Sequence, residues 1–599
     1  MEELICFYDD RIAHYTQIRD GLKKKMHRMG TLRLLIVACA LVTLWLCRNE
    51  GGWALWTGMS IGFASPFVIL MVYHMKLADR KTCADEMIRL NTNERRGIDY
   101  DFSAFDGAPE QIDAHHPFSL DLDLFGSPSL FQSMNRTVTH VGKSRLANWF
   151  TQPLTDRDAI LRRQQAVREM ASKTFFRQHF YVTGASQQKS EKDVHELKTL
   201  SGSQASRFSQ SRLWQVLIWL IPGLWLVVAG AAIGAGLPSG WLAVMGGAGF
   251  LIANAPGKRI HALYHSVDRM ERLLLTYSQL MAQIEKEPFR SEELQEAQRL
   301  LVSQQAGASQ AIRQLSRIIG ALDQRYSTAG IVLNLIYLRD MRQAMRLEQW
   351  LRVHAADFDD WFDALARVDA LCSLGGFAFN HPGYVYPAIA SAYFRMEGKG
   401  LGHPLLHREQ CVRNDLQMSR NPYFLVVTGA NMAGKSTYLR TVGVNFVLAC
   451  VGLPVCAESL TVYPAHLVTS LRTADSLTAN ESYFFAELKR LKMIIDRLNA
   501  GEELFIVLDE ILKGTNSKDK QTGSLALVRQ LVSQKTCGII ATHDLLLGTL
   551  EQEFPNEIRN CRFEADIVDD NLTFTYRLRE GIAQNMNASF LMKKMGITL

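Results

Sequence analysis

Residues 423 to 437 admit few folds. Tyr423–Thr428 (YFLVVT) is a short run of aromatic and β-branched side chains, the composition of a buried strand. Directly after it stand Gly429, Ala430, Asn431, Met432, Ala433, Gly434, Lys435 and Ser436, a G-x-x-x-x-G-K-[ST] pattern continued by Thr437. The glycines let the loop curl with its N–H groups inward, and a helix opening near Lys435 adds the positive end of its dipole. Such a loop is a cradle for phosphates and calls for an α/β domain. Lys435 is expected to reach the β- and γ-phosphates, and the Ser436 hydroxyl to bind Mg²⁺.

Two further strand candidates carry the partners that a phosphate site needs. Leu504–Leu508 (LFIVL) ends in Asp509 and Glu510. A carboxylate at a strand end can hold the shell of a Mg²⁺ ion, which assigns Asp509 to the metal. The adjacent Glu510 can then orient or deprotonate an attacking water. Gly538–Thr542 (GIIAT) delivers His543, placed to sense or polarise around a γ-phosphate. Lys435, Glu510 and His543 are the candidate catalytic residues.

Four apolar runs free of Asp, Glu, Lys and Arg form two pairs. Leu34–Leu46 and Trp53–Tyr73 are separated by the short linker 48–52, and Leu213–Gly236 and Trp241–Ala255 by the turn 237–240. Two of the runs reach the ~20 residues needed to span a bilayer and two are shorter. Trp45, Trp53, Trp214 and Trp241 stand near their ends, and lysines and arginines flank the open ends. By the positive-inside rule both hairpins enter from the cytoplasmic side, which predicts a multi-pass protein of the cytoplasmic (inner) membrane with its large segments in the cytoplasm. Uncharged spans favour anchoring over a transport path.

Elsewhere the pattern is helical. Leu263, Val267, Met270, Leu274, Tyr277, Met281 and Ile284 follow a heptad seam. Residues 148–170, 191–200, 311–351 and 358–374 also read as helices, so the middle is expected to be all-α. Phe7 and Tyr8 read as a chance aromatic pair in a helical setting. A net charge of +6 over 599 residues permits contact with nucleic acid or anionic lipid without demanding it. Ten scattered cysteines with no C-x-x-C pair argue against a disulfide framework or zinc site.

The stretches GANMAGKSTYLRTVG, LDEILKGTNSKD and IIATHD resemble the MutS family of ATPases, relatives of the ABC class. Asp475 and the run Glu481–Glu487 resemble the segment between that family's phosphate loop and acidic motif. Upstream, Asn135-Arg136-Thr137, Gly142, Trp149 and Arg163-Gln164 resemble the start of its core and lever, and Arg413-Asn414-Asp415 the lead into its ATPase. The resemblance implies ATP and Mg²⁺ as ligands and a homodimer through composite ATP sites, with Ser482 touching the γ-phosphate held by the partner. It also implies DNA as a partner. An amino-terminal mismatch-reading domain and a connector domain have no counterpart here, and Ala430 and Ala433 replace a proline and a glycine typical of the family's loop.

The expected architecture is an α/β P-loop NTPase (ABC-like MutS ATPase) at residues 401–599, preceded by an all-α core and lever region carrying two transmembrane hairpins. The expected divisions are 1–31, a hairpin at 32–75, a core-like segment at 76–212, a hairpin at 213–256, and a lever continuation at 257–400. The expected function is that of a membrane-anchored MutS-like ATPase handling DNA. The alternative is a transport or membrane-remodelling ATPase in which the hairpins do the work.

Overall fold

The computed structural model describes the chain except residues 48–51, 186–210, 235, 237, 239, 256–269, 303–306, 324–327, 421, 431–432, 473–482, 514, 569–570 and 585–599. Its contacts divide it into two units. One comprises Met1–Arg136, Arg145–Thr174 and Leu371–Leu599; the other comprises Thr137–Ser144 and Phe175–Ala370.

The first unit begins with two helices of 45 and 46 residues, Glu2–Leu46 and Trp53–Ile98. They run antiparallel, since Asp9 pairs with Arg95 at the open end and Arg33 lies over the Phe67 ring further along. The runs Leu34–Leu46 and Trp53–Tyr73 are thus the adjoining ends of two longer unbroken helices. At the open end Leu77, Ala84, Met87 and Leu90 are buried, whereas Leu34, Leu41, Ile61 and Ile69 in the other half stay exposed. Among the described residues three helices are long and apolar enough to cross a membrane: these two and Arg212–Gly234, with the shorter apolar Gly240–Ala253 beside the third.

Phe7 and Tyr8 are packing residues. Phe7 meets the Phe379 ring edge-on at 5.3 Å, and the Tyr8 hydroxyl donates to Asn380 Oδ1 at 2.6 Å. Leu4, Tyr8 and Ile98 form a small apolar cluster there. Nearby, Arg136 pairs with Glu94 through two contacts of 2.6 and 3.2 Å, and Asn380 Nδ2 donates to Glu94 at 2.8 Å.

The rest of this unit holds two sheets, with strands β1 Ala388–Ile389, β2 Met396–Leu401, β3 Asn414–Met418, β4 Tyr423–Gly429, β5 Ser459–Val462, β6 His466–Ser470, β7 Leu504–Asp509, β8 Cys537–Thr542, β9 Ile558–Phe563 and β12 Arg579–Glu580. Strands β10 Ala565–Val568 and β11 Asn571–Phe574 form a separate hairpin. The larger sheet has the order β12-β9-β4-β8-β7-β6, parallel throughout except for β12. Its central strands are near-continuous apolar runs because both faces are covered. Phe424, Val426, Ile506, Leu508 and Ile540 pack with Ile494 of helix Tyr483–Asn499 and Val528 of helix Ser517–Ser533. The smaller sheet, β1-β5-β2-β3, is mixed.

The second unit is helical among its described residues. Met270, Leu274, Tyr277, Met281 and Ile284 are buried on helix Met270–Lys286, so the heptad seam forms; Leu263 and Val267 lie outside the described residues, as does 191–200. Two expected helices, one in each unit, are interrupted. In 148–170 of the first unit, Pro153 cannot donate to a helix, and Asp156 caps a new one at Arg157 by accepting from Ala159 N. In 311–351, Leu338 adopts φ 47° between helices Thr328–Tyr337 and Arg339–His354.

Asp369 ties this unit's two chain segments together. Its carboxylate is fully buried and accepts from the Thr139 hydroxyl at 2.7 Å and from the N–H groups of Thr139 and Val138 at 2.8 and 3.2 Å. Burial outweighs these bonds and pushes its pKa up to about 7. Between the ordinary carboxylate range and pH 7 the folded chain therefore holds a proton that the unfolded chain has lost, so stability falls as pH rises through that window. Asp369→Asn is expected to flatten this slope by a few kcal/mol, read as denaturation midpoints of the two proteins from pH 4 to 8. Parallel pH profiles would refute the assignment.

Candidate active site

The phosphate loop leaves β4 at its carboxyl end. Gly429 has φ 151°, and a Cβ there would stand 2.4 Å from the Phe563 carbonyl oxygen, so the loop departs where only glycine fits. Gly434, at φ 105°, caps helix Lys435–Val451 and faces the Tyr576 ring. The helix N-terminus thus opens onto the site. Ala433 and Lys435 are buried; Ala430, Gly434, Lys435, Ser436 and Thr437 line a cavity of about 500 Å³. Asn431, Met432 and Ser482 lie outside the described residues.

Lys435 Nζ donates to the carbonyls of Gly429 and Ala430 at 2.7 and 2.8 Å. Burial lowers its pKa to about 8, aided by Lys513 and opposed by Asp509. The ammonium is thus short of negative charge, the condition an anionic ligand relieves. Parallel pairing of β4, β8 and β7 brings the other two strand ends alongside. Ser436 Oγ donates to Asp509 Oδ2 at 2.6 Å. One hydroxyl and one carboxylate, both hard oxygen donors, fit a Mg²⁺ ion that takes its remaining ligands from phosphates and water.

Glu510 sits in a tight turn with φ 50°, its N–H held by the Ala541 carbonyl at 2.9 Å. One carboxylate oxygen meets His543 Nε2, and the other lies 3.2 Å from Lys513 Nζ. His543 Nδ1 stands 2.8 Å from the Gly429 carbonyl and 3.3 Å from Lys435 Nζ. Burial, and after it the Lys435 ammonium, hold His543 below the ordinary imidazole range. The structure therefore brings Lys435, Ser436, Asp509, Glu510 and His543 into one cavity.

Three neighbours were not singled out from the sequence as site residues. Lys513 follows Glu510 by three positions, a spacing that gives a weak signal. Tyr576 lines the cavity from far along the chain, its carbonyl held by Asn414 Nδ2 at 3.0 Å, and no local pattern marks it. Glu487 is buried on helix Tyr483–Asn499 and accepts from Leu512 N at 2.5 Å; burial raises its pKa. It pins a turn in which Glu510 and Leu512 both have positive φ, a strained arrangement for side chains other than glycine.

Cation, hydroxyl and carboxylates at the carboxyl ends of parallel strands, beside a helix N-terminus, define a site for a polyanionic ligand. Comparison with known sequences specifies the family. Residues 425–594 match the model for MutS domain V, and residues 119–375 that for MutS domain III. Together these cover more than half of the chain, and the chain belongs to the MutS family. It is 32% identical over 225 residues to the DNA mismatch repair protein MutS of Thermotoga neapolitana, covering 37% of this chain and 27% of that one. The protein of the same name from Persephonella marina is 33% identical over 240 residues, 39% and 27% of the two chains. The human MutS protein homolog 4 is 29% identical over 235 residues, 38% and 24%. The chain thus spans roughly a quarter of the length of these relatives.

If Glu487 positions the acidic turn and the family's ATP hydrolysis takes place here, Glu487→Ala is expected to slow that turnover by about tenfold or more, the effect of relaxing a strained turn, while leaving nucleotide affinity nearly unchanged. Glu487→Gln keeps an oxygen for Leu512 N and is expected to restore most of the rate. Equal losses in both variants would rule out that role.

Proposed function

We propose that this chain is a membrane-anchored MutS-type ATPase that handles DNA through dimeric, composite ATP sites. The observation that carries the proposal is the convergence of Lys435, Ser436, Asp509, Glu510 and His543 on one cavity behind a glycine-framed loop. The family's members are ATPases, which supports nucleotide hydrolysis at this site.

In this reading Lys435 exchanges its two carbonyl partners for phosphate oxygens, and the N–H groups of the loop and of helix Lys435–Val451 face the same charge. Ser436 and Asp509 would hold Mg²⁺, which supplies charge neutralisation at the phosphates. Glu510 orients the attacking water and accepts its proton, its carboxylate held between His543 and Lys513. Ser482 of a second subunit would complete the site from outside.

Support for the membrane comes from the uncharged runs with exposed apolar faces within these helices and from the basic flanks of the runs. On this reading the anchor is in the cytoplasmic (inner) membrane and the ATPase in the cytoplasm. DNA as the partner is drawn from the family.

Glu510→Gln is expected to bind ATP without turning it over and to accumulate as a closed dimer, measured by light scattering with and without ATP. A variant that stays monomeric with ATP bound would refute the composite site. Binding of duplex, branched and mismatched DNA by the full chain is expected to depend on ATP. No ATP-dependent DNA affinity, together with ATPase stimulation by lipid, would overturn the DNA reading in favour of a membrane-working ATPase.

A further inference from the structure

The second apolar hairpin, Arg212–Gly234 with Gly240–Asn254, has a companion outside the four apolar runs. Helix Thr328–Tyr337 (TAGIVLNLIY) has no charged residue and packs against both hairpin helices. The approach is close. A Cβ added to Gly249 would stand 2.5 Å from the Leu335 carbonyl oxygen, so a glycine lets the two backbones meet. Small residues at helix contacts are the packing mode of helices in lipid, where apolar burial gives no drive.

The same helix leaves apolar surface uncovered. Ile331, Val332, Leu333 and Tyr337 are each about half exposed, at 47 to 50%. They extend the apolar surface of the hairpin helices, where Trp219, Leu226 and Leu251 are exposed above 70%. A polar collar closes the helix at its other end. Asn334 Nδ2 donates to Asp340 Oδ2, and Asp340 N donates to Asn334 Oδ1, both at 3.1 Å. Arg342 donates to the Tyr337 carbonyl at 3.0 Å and to the Ile218 carbonyl at 2.5 Å. Its guanidinium lies 4.1 Å from the Tyr337 ring and 5.0 Å from that of Trp219. An arginine held among aromatic rings where an apolar helix turns into a polar one is the composition of the membrane–water boundary.

We propose that helix Thr328–Tyr337 is a further membrane-inserted element, docked on the second hairpin, with its free face against lipid acyl chains. This rests on the reading of that hairpin as membrane-embedded. Ten residues of helix measure about 15 Å, half of a hydrocarbon core of about 30 Å, so the helix enters the near leaflet without crossing. Helix Arg339–His354 follows after Leu338 alone and carries the buried Trp350, whose Nε1 donates to the Ala311 carbonyl at 3.0 Å. The inserted element is thereby joined directly to the packed helices of its unit.

The test places a benzophenone amino acid at Leu333 or Val332, at Leu226 of the hairpin, and at the exposed Val353 as a water-facing control. Each full-length variant is reconstituted in phosphatidylethanolamine–phosphatidylglycerol vesicles, irradiated, and weighed for lipid adducts. Adducts from Leu333, Val332 and Leu226, with none above background from Val353, are expected. Two positions on the short helix guard against one variant failing to fold. Adducts at Leu226 but at neither Leu333 nor Val332 would overturn this inference and leave the hairpin reading intact. A chain-to-chain cross-link from Leu333 would overturn it by showing that a second copy covers the face. No adduct at any position, Leu226 included, would remove the hairpin reading as well.

Discussion

The buried pair of Arg136 and Glu94 holds together segments that the rest of the first unit depends on. Its two contacts join the end of the second long helix to the segment that follows Asn135, and Asn380 adds a bond from a third element. Arg136 also covers the Phe105 ring and donates its backbone N–H to Ser373 Oγ. Both charges are almost wholly out of water, so each has meaning only while the other is present. Removing one side of such a pair costs on the order of 3–5 kcal/mol because it strands a buried charge. The same place receives Tyr8 and Phe7 of the first helix. The foot of the long hairpin, the Asn-Arg-Thr stretch and the end of helix Phe358–Asn380 are therefore one structural joint.

The residues with chemistry were legible because each is local. A glycine-framed loop follows an apolar strand, two acids end another, and a histidine ends a third. Such patterns survive without knowledge of the fold, and parallel pairing then brings them together. What could not be read was held in place by distance along the chain. Tyr576 reaches the cavity only because Asn414 captures its backbone. Glu487 belongs to a recognisable stretch, yet its grip on Leu512 exists only once a helix lies beside the acidic turn. The smaller sheet escaped because two of its strands, MEGKGL and NDLQM, are short and hold no β-branched or aromatic residue. The aromatic pair at Phe7 and Tyr8 escaped for the opposite reason: its pattern was visible, but its partners Phe379 and Asn380 lie at the far end of the unit's sequence.

The helical breaks carry a similar lesson. Apolar residues recur at helical spacing on both sides of Leu338, so the pattern alone does not mark the break. Among the described residues the break before Arg339 is one left-handed residue, Leu338, beside an asparagine and an aspartate that satisfy each other. Periodicity reports which face is apolar; it does not report where the axis turns.

The unbroken length of helix Glu2–Leu46 has an electrostatic consequence. From the joint at Tyr8 to the start of the apolar run at Leu34 the chain climbs 26 residues, about 39 Å of continuous helix. Physiological salt screens charge over about 8 Å. A bilayer surface at Leu34 would thus lie several screening lengths along the helix from that joint. Charged groups gathered at the joint would therefore feel almost nothing of a charged surface met at Leu34.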